Sequence, residues 1–274
     1  MESRSNAPPS PRDGGGGALN IVGLGFLGIG QITAESLSYI RSADKLFFLG
    51  SDILSRSWLE EQNPSLEDLH DAYAPGKHRL HSYGEMVERM LAPVREGLEV
   101  CVAFYGHPGV FVYPSHEAIR RAREEGLTAR MLPGISAEDC LYAELEVDPA
   151  EFGCASYEAT DFLVRPREYD TTSALILWQV GGVGIVTYEA ETMWSKSGLT
   201  LLTENLLEKY PPGHEVTIYE AAVIPVCDPV ILKIPLRTLP DSAVSVLSTL
   251  YIPPLSPGKT DDAMRAKVFG VGAP

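Results

Sequence analysis

From Leu19 to Leu132, short apolar runs alternate with amphipathic stretches, and this alternation limits the possible folds more than any other feature of the chain. Strands repeat every two residues and helices every 3.6, so switching between the two periods predicts strands joined by crossover helices. The product is an α/β unit, a mostly parallel sheet covered on both faces. The strand segments are Leu19–Gly23, Lys45–Leu49, Val100–Tyr105 and Ala129–Leu132; the helical ones are Gln31–Arg41, Ser82–Glu96 and Ser115–Glu125. The first helix turns Leu37 and Ile40 inward. The second repeats Tyr83, Met86, Val87, Met90, Leu91 and Val94 at helical spacing. The third ends at Gly126, a residue suited to a helix C-terminus.

After Pro133 the texture changes. Ser136 followed by Asp139 marks a helix start. Ala174–Trp178 reads as a buried strand and Leu199–Tyr210 as a helix with Leu202, Leu206 and Tyr210 on one face. Val216–Tyr219, Val230–Ile234 and Val244–Ile252 alternate like antiparallel strands. Two α/β lobes are expected, 18–132 and 133–255, with the site in the cleft between them. Residues 1–17 are rich in Pro, Ser and Gly and read as a disordered leader, and 256–274 as a flexible tail.

Composition excludes several function classes. The 274 residues are 45% hydrophobic and 22% charged, as in a globular protein. Lys plus Arg is 22 and Asp plus Glu is 37, so the net charge is 22 − 37 = −15, which opposes general nucleic-acid binding. No apolar run reaches the roughly 18 residues of a membrane span, and the first residues lack a signal-type core. Cys101, Cys140, Cys154 and Cys227 contain no CxxC pair, so they read as reduced, mostly buried thiols of a cytoplasmic protein; no metal-ligand cluster is visible.

Three stretches carry chemistry. Gly23-Leu-Gly25-Phe-Leu-Gly28 follows a strand, with Asp44 and Asp52 about 20 residues on. By spacing this satisfies the dinucleotide fingerprint; a tight turn at the strand's end is the alternative. Gly106-His107-Pro108-Gly109 also follows a strand, at the edge where open sheets bind ligands. His107 is either a satisfied turn residue or a ligand contact. The loop has no cationic partner for a phosphate, which suits a zwitterionic or nucleoside ligand. Finally, Tyr73, Arg79 and Tyr83 crowd one short stretch. If a helix starts near His78, Arg79 and Tyr83 share a face at i and i+4. If Ser82 and Glu85 form a capping box instead, Arg79 lies in the preceding turn. An Arg beside a Tyr favours phenolate, a group able to remove a weakly acidic proton, although an Arg stacked on a surface tyrosine looks the same in sequence.

Gly106-His-Pro-Gly-Val-Phe-Val-Tyr-Pro-Ser115, Ala129-Arg-Met-Leu-Pro-Gly-Ile-Ser-Ala-Glu-Asp-Cys-Leu-Tyr142 and Tyr157-Glu-Ala-Thr-Asp-Phe-Leu163, extended by Gln179-Val-Gly and Ser248-Thr-Leu-Tyr-Ile-Pro-Pro254, resemble one family. It is the borosin peptide α-N-methyltransferases, the omphalotin-type branch of the tetrapyrrole methylase superfamily. The likeness spans about residues 18–255.

This resemblance implies a class III fold of two αβα lobes and a methyltransferase using S-adenosylmethionine (SAM) on peptide backbone amides. By motif position Tyr73, Arg79, Tyr83 and Tyr105 match the catalytic cluster. Tyr105, His107, Val110, Phe111, Ala137, Gln179, Ala221, Ser248 and Thr249 match the SAM contacts. The Gly23–Gly28 loop then becomes a substrate-side turn, and a homodimer is expected. Fungal members carry a C-terminal clasp and their own substrate peptide, whereas about 20 residues follow Pro254 here, so the expectation is a split form acting on a separate precursor peptide. The rivals are C-methylation of a tetrapyrrole and a catalytically silent peptide scaffold.

Overall fold

The computed structural model describes residues 16–50, 52–188, 194–224 and 226–270. Nearly all of the expected leader, residues 1–15, lies outside them, as do 271–274 of the tail. The chain forms two compact units.

The first unit is built on a parallel sheet of β1 (Ala18–Gly23), β2 (Lys45–Leu49), β3 (Glu67–Asp68), β4 (Glu99–Phe104) and β5 (Thr128–Met131), in the order β3-β2-β4-β1-β5. Its strands read as continuous apolar runs because both faces are covered. Period-two alternation sorts their side chains. Leu19, Ile21, Phe47, Val100 and Val102 face α3 (Arg79–Arg95) and α4 (Tyr113–Glu124), packing on Met86, Met90, Leu91 and Ala118. Val22, Leu46, Phe48 and Cys101 face the other way, onto Ile40 of α1 (Ala34–Ser42) and Leu59 of α2 (Ile53–Gln62).

Several boundaries differ from the sequence expectation. Helix α1 begins at Ala34, not Gln31, because the Thr33 hydroxyl caps it by accepting from the Ser36 amide at 3.0 Å. Helix α2 escapes a periodicity search, since only Ser55 and Leu59 along it are buried; Asp52 caps it. Ser136 and Asp139 do form a capping box, opening α5 (Ala137–Glu144). That helix stays with the first unit, which continues to Leu145 and regains Ile185–Thr192 and Ala221–Val230. The sequence had put the junction near Pro133.

The second unit holds β6 (Cys154–Glu158), β7 (Ala174–Trp178), β8 (Glu215–Glu220), β9 (Val230–Pro235) and β10 (Thr249–Ile252), in the order β6-β7-β10-β8-β9, though β9's first residue falls to the first unit. β10 runs antiparallel to β7 and β8, but β6 and β7 are parallel, so the sheet is mixed. A short α6 (Pro149–Phe152) precedes it. Its core packs Leu177, Ile218 and Leu250 against Phe162 of α7 (Ala159–Val164) and Leu199, Leu202 and Leu206 of α8 (Lys196–Leu207). β10 starts five residues later than expected because Ser245–Ser248 closes a turn, with the Ser248 amide donating to Ser245 O at 3.1 Å. The segment read as a flexible tail carries an exposed helix, α9 (Asp262–Phe269), capped by Asp261.

None of the four cysteines is in a disulfide; Cys101 and Cys140 are buried, Cys154 half-buried and Cys227 exposed. No helix among the described residues is long and apolar enough to cross a membrane.

Candidate functional site

Glycines pinch together the loops leaving β1, β4 and β5 at one edge of the first sheet. A Cβ on Gly23 would lie 2.6 Å from Gly106 O and 2.8 Å from Gly134 Cα, so three backbones pass at a distance that only glycine permits. Gly25 and Gly106 exchange backbone hydrogen bonds of 3.2 and 2.7 Å. Parallel sheets place ligands at this carboxyl edge.

The Gly23–Gly28 loop is not a dinucleotide cradle. Gln31 Oε1 accepts from the Phe26 amide at 2.6 Å and the Leu27 amide at 3.1 Å. The donors that a pyrophosphate would need are thus taken by the loop's own glutamine, and the helix that should meet the phosphate starts six residues after Gly28. Of the two acids that completed the spacing, Asp44 accepts from the Glu99 amide and Asp52 caps α2. Spacing alone missed that Gln31 fills its own turn.

The Gly106–Gly109 loop is held from below. The Ser115 hydroxyl donates to Pro108 O, and His116 Nε2 lies 2.9 Å from Gly109 O. His107 Nδ1 accepts from the Gly109 amide at 2.9 Å, so a neutral ring carries its proton on Nε2. His107 is therefore a satisfied turn residue through one nitrogen and retains a donor on the other. Phe111 follows with φ +54°, and Gln179, just after β7, has φ +58°. Left-handed backbone is costly for both side chains, and such strain concentrates at functional sites. Ala137 is the first residue of α5.

In the second unit, Ser248 is fully buried. Its hydroxyl donates to the Glu220 carboxylate and accepts from the Ser245 amide, while its carbonyl accepts from the Val180 amide, next to Gln179, at 2.9 Å. Thr249 is buried beside it and pairs with Tyr219. Ala221, which follows β8, is grouped with the first unit.

The tyrosines and arginine converge. Helix α3 starts at Arg79 with His78 as its cap, which places Arg79 and Tyr83 at i and i+4 and removes the Ser82 capping box. Tyr73 lies edge-on to Tyr83, centroids 6.3 Å apart. Burial holds the Tyr73 phenol's pKa far above its usual value; the neighbouring Tyr83 and Tyr105 and a hydrogen bond with Tyr83 add to this, and Arg79 opposes them. Tyr105 is raised as well, by burial first and then Tyr83, again against Arg79. Because 41% of Tyr105 reaches solvent, screening weakens that effect relative to Tyr73. At neutral pH Tyr73 keeps its proton and is a hydrogen-bond donor.

Sequence reasoning missed four aromatic members. Tyr188 stacks on Tyr73 at 5.0 Å and 23°, and His70 meets both rings edge-on. Tyr113 stacks on Tyr83 at 5.9 Å, and Phe26 meets Tyr105 edge-on at 6.1 Å. The only sequence signal for Tyr188 was the short β-branched run Ile185-Val-Thr187 before it.

Residues 18–237 match the family model described as Tetrapyrrole (Corrin/Porphyrin) Methylases. The chain belongs to this family. This tetrapyrrole-methylase chain is 45% identical over 258 residues to a methyltransferase/ribosomally synthesized cyclic peptide dendrothelin A precursor of Dendrothele bispora, covering 93% of this chain and 60% of that one. It is 46% identical over 242 residues to the corresponding omphalotin A precursor of Omphalotus olearius, covering 87% and 58%. A type III borosin precursor of Anomoporia bombycina is 38% identical and is spanned for 30% of its length. The chain thus spans less than two thirds of the length of these relatives. Among solved structures, uroporphyrin-III-C-methyltransferase of Thermus thermophilus superposes with a TM-score of 0.62 at 19% identity, covering 86% of this chain and 94% of that one. A cobalt precorrin-4 methyltransferase gives 0.63 at 18%, with the same coverage. These two establish the α/β class III fold.

Proposed function

We propose that this tetrapyrrole-methylase chain is a cytoplasmic SAM-dependent methyltransferase that N-methylates backbone amides of a separate precursor peptide. The observation that carries the reading is the convergence of Tyr73, Arg79, Tyr83 and Tyr105. An electron-rich tetrapyrrole carbon is already nucleophilic, whereas an amide nitrogen, with its lone pair delocalised into the carbonyl, becomes so only as its proton is removed, the task such a cluster suits. The names of the relatives, which join a methyltransferase to a cyclic-peptide precursor, support a peptide substrate.

The residues fit SAM. The glycines at 106 and 109 leave room that a Cβ would fill, meeting the Phe26 ring at 3.2 Å and the His107 ring at 3.1 Å. No fixed cation lies in the loop to repel a sulfonium. Tyr105, His107, Val110, Phe111, Ala137, Gln179, Ala221, Ser248 and Thr249 are the proposed contacts. When bound, the cofactor supplies an electrophilic methyl group. Tyr83, one helical turn from Arg79 on α3, takes the amide proton directly or through one water. Tyr73, which keeps its proton, and Arg79 donate to the imidate oxygen as negative charge develops there. Tyr105 holds the nitrogen in line.

In α9 the Arg265 amide donates to Asp261 O at 2.8 Å and the Gly270 amide to Ala266 O at 3.0 Å, so these N–H groups are engaged and are poor sites for methylation. The test is mass spectrometry of the protein with SAM, alone and with a small protein encoded beside it that ends in an apolar, β-branched core. Methyl increments on the added peptide, lost in Tyr83→Phe and Arg79→Ala by a factor on the order of 10²–10⁴ with S-adenosylhomocysteine affinity intact, are expected. Increments on the chain's own tail overturn the separate substrate. An absorbance change with a corrinoid, and none with peptide, overturns the peptide reading.

A further inference from the structure

The segment carrying Tyr188 returns to the first unit more than 100 residues after the tyrosine–arginine stretch and pairs with it antiparallel, His78 opposite Thr187. Three backbone hydrogen bonds fix the register. Gly76 N donates to Tyr188 O at 2.9 Å, Tyr188 N to Lys77 O at 3.0 Å and Arg79 N to Val186 O at 3.0 Å. The last bond is informative. Arg79 opens α3, where the first amides have no partner inside the helix, and Val186 supplies one from outside. The same strap brings the Tyr188 ring onto Tyr73, while His70 braces both rings from the edge.

Tyr73 and Arg79 thus leave the chain on either side of a five-residue turn, and one short strap binds both ends of it. Tyr73 is half-buried against the core of the first unit, but the residues after it, Ala74, Pro75 and Gly76, are exposed, and among the described rings only Tyr188 stacks on its flat face. The ring contacts of Tyr73 are Tyr188, Tyr83 and His70, and the charged or titratable groups acting on it are Tyr83, Tyr105 and Arg79.

We infer that Tyr188 is a positioning residue of the methyl-transfer site, whose stacked ring, fixed by the strap at 186–188, sets the orientation of the Tyr73 phenol relative to Arg79 and Tyr83. The inference rests on the functional reading above for its consequence in catalysis, but its geometric half stands without it. A stacked aromatic pair contributes beyond its area burial, enough to select one ring orientation. Misplacing a catalytic donor by about 1 Å costs on the order of 10²-fold in rate.

The experiment compares Tyr188→Phe, Tyr188→Leu and Tyr188→Ala in the full chain. Phe keeps the stack, Leu fills the volume without a flat ring, and Ala removes both. Expected are near-parental turnover in Tyr188→Phe and a fall in kcat of roughly 10- to 100-fold in the Leu and Ala variants, with KM and S-adenosylhomocysteine affinity unchanged. The second readout needs no turnover. In protein labelled with 13C-tyrosine, the Tyr73 ring signal, assigned by its loss in Tyr73→Phe, should shift and titrate at lower pH in Tyr188→Ala, as water reaches its uncovered face, and stay put in Tyr188→Phe. Tyr188→Leu covers the case in which the Ala variant does not fold. Parental kcat in a folded Leu or Ala variant, or an unmoved Tyr73 signal, overturns the inference. If no variant or parent methylates peptide but the Tyr73 signal still moves, the functional reading falls and the positioning of Tyr73 by Tyr188 stands.

Discussion

Replacing Gln179 by glycine should make the second unit more stable and the protein a weaker cofactor binder. Gln179 follows β7 in left-handed backbone, φ +58° and ψ 38°, with its side chain half-buried and in none of the hydrogen bonds described. That conformation costs an L-residue roughly 1–2 kcal/mol. Glycine removes the strain and returns about 0.5–1 kcal/mol of it as extra freedom in the unfolded chain. The net gain is about 0.5–1 kcal/mol. Alanine keeps the strain, so Gln179→Gly should exceed Gln179→Ala in stability by about that margin. In an ordinary helix or strand, glycine is the worse of the two by a similar amount. The binding effect runs the other way. One lost side-chain hydrogen bond to the ligand is worth about 0.5–1.5 kcal/mol, or about 2- to 13-fold in Kd, and both variants lose it. Trp178, only 5% exposed and adjacent in sequence, gives a fluorescence signal for urea unfolding of this sheet, and calorimetry gives S-adenosylhomocysteine affinity. Glycine less stable than alanine would refute the strain argument. Parental affinity in both variants would refute the contact.

Gln31→Leu should destabilise the first unit by about 2 kcal/mol, roughly 1 for each of the Phe26 and Leu27 amides it orphans, seen as a fall in melting temperature of about 4–8 °C. A parental melting curve would show that those amides find water at no cost. Stability should fall as pH rises above about 10. The folded pKa of Tyr73 is raised above the unfolded value, so the native state binds more protons in that range and loses stability with rising pH. Tyr73→Phe should flatten the slope of urea midpoint against pH, and an unchanged slope would assign the loss to other groups. Light scattering at micromolar concentration should give a homodimer, since Phe111 and Tyr113 are about half exposed and Val230, Ile231 and Leu232 of the edge strand β9 are also open. A monomer would contradict that.

Four of the five strands of the first sheet were legible because burial on both faces leaves continuous apolar runs, whereas β3, two acidic residues, carries no such run; α3 was legible because six of its residues repeat at helical spacing. The Ser136 cap was readable because capping is local, a side chain meeting a backbone three residues away. Helix α2 was not readable, for it buries one leucine and a serine. The Gly23–Gly28 loop misled by spacing because the fingerprint counts glycines and is blind to the glutamine that takes the Phe26 and Leu27 amides.

By itself, the sequence determined what depends on near neighbours: the period of each segment, its caps and turns, and, through long motifs, the family. It also held Tyr73, Arg79 and Tyr83 within eleven residues, so their grouping was available early. Only the tertiary structure decided which start α3 uses, because the choice between His78 and Ser82 as cap turns on a partner for the Arg79 amide, and that partner is Val186. It alone brought Tyr188 onto Tyr73 and kept α5 with the first unit. Contacts between residues a hundred positions apart leave no periodic trace in either segment; they are set by loop closure and packing, which a local pattern does not encode.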